Sequence, residues 1–127
     1  MKINPDLIDG QIVEMKTDSS LSNTVRKTIK FNNGFMINII TQYHANTTTS
    51  NSWNGTYASN NYTINNYLTA FTEVWTVQIS PRAIANNHWL MAVAQGSVTA
   101  PPQIQFLRGT SGTSIGYVDV VAYGTWK

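Results

Sequence analysis

The chain of 127 residues contains no cysteine and few charged residues. The absence of cysteine excludes disulfide bonds, thiolate zinc ligands and a cysteine nucleophile. Lys, Arg, Asp and Glu make up only 11% of the chain, less than half of the roughly 25% that is usual in globular proteins. The net charge of +2 is small and the basic residues are dispersed, so no basic patch is available for nucleic acid. We therefore expect no nucleic-acid partner.

Long hydrophobic runs are missing as well. No stretch of about 18 apolar residues occurs, which excludes a membrane-spanning helix, and the first ten residues lack the apolar centre of a signal peptide. Polarity comes from Ser, Thr and Asn, which account for 40 of the 127 residues. Together with an apolar fraction of 42%, this composition is typical of a folded domain with a weakly charged surface. We expect no insertion into a membrane.

Alternation of apolar and polar residues predicts an all-β fold. The clearest signal covers residues 28–43, where Asn33-Gly34 separates two apolar runs, as in a β-hairpin. Further strands follow at turn spacings of about ten residues, and no segment has a helical period. The predicted strands cover residues 28–31, 35–43, 72–80, 88–95, 103–108 and 115–126. We expect a small antiparallel β-sandwich of about six strands.

Two segments lack this regular pattern. Residues 1–27 are the most charged part of the chain, and we interpret them as a connector that enters the β-sandwich domain of residues 28–127 from something N-terminal to it. Within the connector, residues 11–16 fit either a short strand or one helical turn. Residues 45–66 are rich in Asn, Thr and aromatic residues and are predicted to be a long loop. Such a length in a compact domain indicates either a hidden short strand near Tyr62 or a functional loop.

The sequence offers little for catalysis or metal binding. Glu73 and Asp119 are the only carboxylates after residue 18, and they would form a glycosidase pair only if they faced each other across a cleft. His44 and His88 lack a short metal-binding spacing, although a threefold axis in a trimer would let one of them supply three ligands. No phosphate-binding loop or serine nucleophile motif occurs. We expect no enzymatic activity, no cofactor and no metal.

Aromatic residues, which form 11% of the chain, are the richer signal. In the polar segment 45–66, aromatic rings offer stacking surfaces for sugars while the neighbouring asparagines offer partners for sugar hydroxyls. Arg82 and His88 are further candidates at a loop end, since Arg82 suits the carboxylate of an acidic sugar. The alternative is that these aromatic residues only anchor the segment to the domain surface. The candidate ligand-binding residues are Trp53, Asn54, Tyr57, Asn60, Asn61, Tyr62, Arg82 and His88.

Residues 28–127 also resemble a known family. Residues 30–38 (KFNNGFMIN) resemble the opening hairpin of the C-terminal domain of bacteriophage tail fibres, and residues 121–126 (VAYGTW) are similar to its closing strand. Residues 67–71 (YLTAF) loosely fit the entry to its third strand. Related modules share a fold with the H-type lectins, which form trimers of six-stranded antiparallel sandwiches.

The resemblance implies a homotrimeric, non-enzymatic tip domain at the distal end of a phage or prophage tail fibre. Its partners would be a host-surface glycan, two further copies of itself and an upstream fibre protein. Such a protein is assembled in the bacterial cytoplasm and resides in the virion, where a chain without cysteine is suitable. The alternative is a structural virion decoration or baseplate protein that binds no glycan and buries the aromatic residues of 45–66 between protomers.

Overall fold

The computed structural model describes residues 10–127, which form eight β-strands. All strand pairs are antiparallel and belong to one continuous sheet, which confirms the predicted all-β class. The described residues contain no helix that is long and apolar enough to cross a membrane. The strands are β1 (Ile12–Asp18), β2 (Thr24–Phe31), β3 (Phe35–Trp53), β4 (Thr56–Ser59), β5 (Glu73–Ala85), β6 (Trp89–Ala92), β7 (Ile104–Arg108) and β8 (Gly112–Thr125).

The two longest strands, β3 and β8, organise the sheet. They pair with each other over almost their full length, from Phe35↔Thr125 to Thr49↔Gly112. The other edge of β3 pairs first with β2 and then, beyond a bulge after His44, with β4. The sheet therefore has two arms that share β3, with strand orders β1-β2-β3-β8-β5 and β3-β4-β7-β6. The result is a β-sandwich-like fold.

The hydrophobic core lies on one face of β3 and β8. Because side chains alternate between the two faces of a strand, β3 and β8 each direct every second residue into this core. They pack against β7 and against the segment that links β4 to β5. The core cluster comprises Met36, Ile40, Ile64, Tyr67, Phe71, Ile104, Phe106, Val118, Val120 and Ala122.

Two Asn-Gly turns shape β3. The predicted hairpin at Asn33-Gly34 is confirmed, with Gly34 at φ 92° between β2 and β3. A second turn at Asn54-Gly55, with φ 47° and 83°, joins β3 to β4, as expected for a tight hairpin turn. The prediction of a long loop over residues 45–66 is therefore wrong for most of its length, because β3 extends to Trp53 and β4 covers Thr56–Ser59. At the predicted short strand near Tyr62, the structure has a single isolated bridge between Tyr62 and Ile104. In addition to the six predicted strands, the structure contains β4 in this hairpin and β1 near the N-terminus, which gives eight strands.

The sheet begins inside the segment predicted to be a connector. Residues 12–18 form β1, which pairs in register with β2, and the predicted boundary after residue 27 falls within β2. Residues 10–27 thus contribute to the sheet. Residues 1–9 lie outside the described part of the chain, and attachment to an upstream shaft remains a prediction.

Candidate functional site: a groove beside β5

A groove of about 500 Å3 lies between the start of β5 and the segment that links β6 to β7. Residues 72–77 form one wall, and residues 95–98 with Pro102 form the other. This volume falls within the roughly 300–1,000 Å3 typical of small-molecule sites. Among the described strands, β5 pairs only with β8, and the residues at its start line the groove.

The second wall of the groove is fixed to the core by backbone hydrogen bonds. The N–H of Phe71 donates to the carbonyl of Val98 at 2.9 Å, and the N–H of Tyr67 donates to the carbonyl of Thr99 at 3.0 Å. Gly96 adopts φ +80°, and a Cβ atom there would lie 2.8 Å from the backbone nitrogen of Pro102. Only glycine fits this turn without displacing the wall.

A β-bulge in β5 places Trp75 at the groove. The register passes from Val74↔Gly124 to Thr76↔Tyr123, which leaves Trp75 as the extra residue. Bulges commonly redirect a side chain away from the regular alternation. Trp75 is 57% exposed, and its ring stacks on that of Phe35 with centroids 5.7 Å apart. The groove is thus bordered by an exposed but supported aromatic residue.

Three polar side chains at the groove, those of Glu73, Thr76 and Gln95, have no hydrogen-bond or ion-pair partner among residues 10–127. The other carboxylates in this range, Glu14, Asp18 and Asp119, all form ion pairs. Glu73 is also the only charged residue among those that line the groove. A carboxylate, an amide and a hydroxyl are therefore available to a ligand there.

The two carboxylates considered for catalysis do not form a pair. Glu73 lies opposite Thr125, whereas Asp119 lies opposite Ser80. The offset of six positions along β8 corresponds to about 20 Å at strand spacing, well beyond the separation of up to about 10 Å in glycosidase pairs. Asp119 is instead bound to Arg82. The geometry of these two residues does not support glycoside hydrolysis.

The predicted residues of the 45–66 segment lie at the far end of β3 from the groove. Trp53, 47% exposed, and Asn54 form the tip of the β3–β4 hairpin. Tyr57 is half-buried on β4. Asn60 accepts a hydrogen bond from the amide of Asn51 at 3.0 Å, and Asn61 is exposed. None of these five residues lines a described pocket.

Two other predicted residues point inward. The hydroxyl of Tyr62 accepts a hydrogen bond from Gln42 at 2.8 Å, and burial raises the pKa of Tyr62 above its ordinary value. His88 is only 9% exposed and packs against the ring of His44. Within residues 10–127, no three His, Cys, Asp or Glu side chains cluster as metal ligands. The hydroxyl of Tyr62 is therefore engaged in an interior hydrogen bond, and His88 is too buried to contact a large ligand.

Arg82 lies on the opposite face of the sheet from the core. Its guanidinium donates two hydrogen bonds to the carboxylate of Asp119, at 2.9 and 3.1 Å, and sits 4.2 Å from the centroid of the Tyr117 ring. The hydrogen bonds that Arg82 donates to Asp119 hold the pKa of Arg82 above its ordinary value. Since Arg82 already has a carboxylate partner, an acidic sugar would have to displace Asp119. The eight predicted residues are thus not brought together in one site.

The face of the sheet opposite the core, here called the outer face, is largely apolar. Cross-strand pairs Ile37↔Tyr123, Ile39↔Val121 and Tyr43↔Tyr117 run along its centre, and all six side chains remain partly exposed. Its margins carry more exposed residues, including Met15 at 68% and Val25 at 40%. The pair Thr41↔Asp119 interrupts this apolar strip, and Asp119 is ion-paired with Arg82. Partly exposed apolar side chains on either side of it are typical of protein–protein contacts.

Comparisons with known proteins add no family. No family model, curated protein or solved structure matches the chain. The groove is therefore defined by the geometry of this chain alone. The ligand-binding residues predicted from the sequence include neither Glu73, which was considered only for a catalytic pair, nor Trp75. The sequence pattern that indicates this part of the groove is Gln95-Gly96-Ser97, a polar turn before Pro101-Pro102.

Proposed function

We propose that this chain is a non-enzymatic receptor-binding domain of a phage or prophage tail fibre, and that a host-surface glycan binds in the groove beside β5. One observation supports glycan binding above all: exposed Trp75 lies beside three unpartnered polar side chains, Glu73, Thr76 and Gln95. The fibre assignment is supported by the resemblance of residues 30–38 and 121–126 to tail-fibre tip domains.

The groove matches the chemistry of a sugar ring. An aromatic side chain offers an apolar surface for the C–H face of the ring, while carboxylate, amide and hydroxyl groups bind its hydroxyls. Because the groove is open and shallow, we expect a dissociation constant of roughly millimolar order at a single site. Several copies on one fibre would raise the avidity well above that of one site.

The charge of the groove selects the class of glycan. Among residues 10–127, Glu73 is the only ionisable residue that lines it, and its carboxylate has no cationic partner there. An acidic sugar would place a second negative charge nearby and would be disfavoured, whereas an ammonium group would be attracted. The ligand is therefore a neutral glycan or one that carries an unsubstituted amino sugar. This replaces the acidic sugar that Arg82 was predicted to bind.

A matched pair of tryptophan variants tests the location of the site. We expect Trp75→Ala to weaken binding to immobilised neutral and amino-bearing oligosaccharides about tenfold or more, because it removes the stacking surface. Trp53→Ala should change binding less than twofold, although Trp53 is similarly exposed. The measurement is the apparent dissociation constant by biolayer interferometry, with folding of both variants checked by circular dichroism.

The opposite pattern would contradict this assignment. Loss of binding with Trp53→Ala alone would place the site on the β3–β4 hairpin, as the sequence predicted. Absence of binding to every neutral, amino-bearing and acidic oligosaccharide by the folded wild-type chain would contradict glycan recognition itself.

A charge variant tests the class of ligand. We expect Glu73→Gln to weaken binding of glucosamine oligomers about tenfold, since the ammonium loses its counter-charge, while binding of neutral oligomers falls less than threefold. The matched control is Glu14→Gln, because Glu14 lies on β1 and pairs with Lys30. Equal effects on amino-bearing and neutral oligomers would contradict the electrostatic role of Glu73.

The outer face supports a proposal of self-association. A homotrimer would cover Ile39, Val121 and their neighbours, which otherwise remain partly exposed. Light scattering should give a mass three times that of the 14.1 kDa chain. Val121→Lys should shift the mass to that of the monomer, and the matched control Thr110→Lys, on an exposed turn, should not. A monomeric wild-type chain would contradict the proposal.

The second candidate function is a structural virion protein without a glycan ligand. The apolar outer face is the observation that favours it, because protein contacts alone would explain that surface. A trimer that binds no oligosaccharide of any charge class would support this alternative.

A further inference from the structure

We propose that His44 and His88 form an acid-sensitive latch on β6, the strand that leads into the second wall of the groove, so that protonation of His44 loosens the segment from His88 to Val98. The release follows from the packing of the two histidines. Its consequence for binding rests on the proposed function of the groove.

The two histidines of the chain meet in the interior. His44, from β3, is 4% exposed, and His88, from the turn before β6, is 9% exposed. Their ring centroids are 5.2 Å apart with the rings near perpendicular. Phe106 of β7 contacts both, stacking on His44 at 4.2 Å and meeting His88 edge-on at 5.3 Å. The pair thus joins the arm that carries β6 and β7 to β3.

Each ring uses one nitrogen and leaves the other without a partner. The Nδ1 of His88 lies 3.0 Å from the carbonyl of Asn86, and since a carbonyl only accepts, this nitrogen carries the proton. The Nδ1 of His44 lies 2.9 Å from the hydroxyl of Thr47. Both Nε2 atoms are buried and have no hydrogen-bond partner among residues 10–127. Whichever tautomer the neutral ring of His44 adopts, its protonated form would be a buried cation whose Nε2–H has no acceptor among residues 10–127.

The surroundings supply no compensating charge. The groups that face the pair are Thr47 of β3, Tyr62 of the following segment and Phe106 of β7, of which only Tyr62 is titratable, and its pKa is raised. No carboxylate of residues 10–127 forms an ion pair with either histidine. Burial and the neighbouring His88 lower the pKa of His44 to about 4.

The direction of the pH effect follows from this lowered pKa. In the open state, in which the segment from His88 to Val98 has left His44, the imidazole of His44 has its ordinary pKa of 6.5, whereas in the closed state the pKa is about 4. The open state therefore binds the proton more tightly, and acidification from pH 6.5 to 4 favours opening. Above pH 6.5 protonation of His44 no longer contributes to opening. The element that it holds is weakly attached, since β6 has only four residues and pairs only with β7. The chain continues from β6 directly into groove residues 95–98.

Hydrogen exchange of the ligand-free protein measures the latch itself. After correction for the intrinsic pH dependence of exchange, protection of amides 88–98 should fall about tenfold or more between pH 7 and pH 5. Amides of the β1–β2 pair should change less than threefold and serve as the internal control. In His44→Phe, which keeps an aromatic ring against Phe106 without a titrating group, the fall should be lost.

Three results would overturn the latch. They are unchanged protection of residues 88–98 in the wild type, an equal fall across the whole chain, or the same fall in a folded His44→Phe. If that variant does not fold, NMR titration of the imidazoles in the wild-type protein replaces it as the test. The ring of His44 is expected to remain neutral at pH 5.5. Titration of His44 near pH 6.5 would overturn the proposal. Because no ligand is present, these outcomes are independent of glycan binding.

Discussion

Replacing Phe106 by alanine is expected to lower the free energy of unfolding by about 4 kcal/mol. Phe106 is completely buried, and its ring contacts those of His44, Tyr62 and His88 with centroid distances of 4.2, 5.1 and 5.3 Å. Truncation would remove the transfer free energy of the ring and leave a cavity between the two arms of the sheet. The measurement is chemical denaturation followed by fluorescence.

The matched control for Phe106 is Trp89→Ala. Trp89 lies on neighbouring β6, opposite Leu107, and is 46% exposed. We expect a loss of about 1 kcal/mol or less there, because much of the ring is already in water. Equal losses for the two variants, or a loss below about 1.5 kcal/mol for Phe106→Ala, would contradict the placement of the core.

Replacing Gly124 by alanine is the second large effect. Gly124 is buried on β8 where β5 begins, and a Cβ atom there would collide with the carbonyl oxygen of Glu73 and lie 2.8 Å from the Cδ1 atom of Phe71. Relief requires movement of backbone rather than of a flexible side chain. We expect a loss of about 3 kcal/mol in the free energy of unfolding and weaker glycan binding, since Glu73 lines the groove.

The control for this variant is Gly109→Ala, because a Cβ atom there meets no atom within 4 Å. Its effect should stay within about 0.5 kcal/mol. The two glycines receive the same chemical change in different surroundings, so comparison of their unfolding midpoints isolates the steric clash. A Gly124→Ala protein as stable as the control would show that β5 does not approach β8 as described.

The sequence predicted those parts of the fold that local patterns determine. The alternation of apolar residues predicted β8, and the Asn33-Gly34 turn predicted the hairpin of β2 and β3. The same reasoning missed β4, although Asn54-Gly55 carries the same turn signal. The flanking residues are mostly Thr, Ser and Asn, and a polar strand gives no apolar alternation to detect.

The groove could not be predicted from local patterns. Glu73 and Gln95 are distant in the sequence, and they share the groove only because residues 93–103 return to hydrogen-bond with Tyr67 and Phe71. Likewise, the contact between His44 and His88 depends on the packing of both against Phe106. Such long-range contacts are set by the tertiary fold rather than by residue spacing. Composition therefore predicted a sugar-binding surface on the β3–β4 hairpin, whereas the groove proposed here lies at the other end of β3.

The most direct test of the central proposal is mapping of a glycan on the isotopically labelled wild-type protein by NMR. Titration with a glucosamine tetramer, and separately with a neutral hexose tetramer, is expected to shift the amide signals of residues 72–77 and 95–98. The signals of hairpin residues 52–61 should remain in place. Shifts confined to the hairpin, or no shift with either oligosaccharide at concentrations of several millimolar, would contradict the groove as a glycan-binding site.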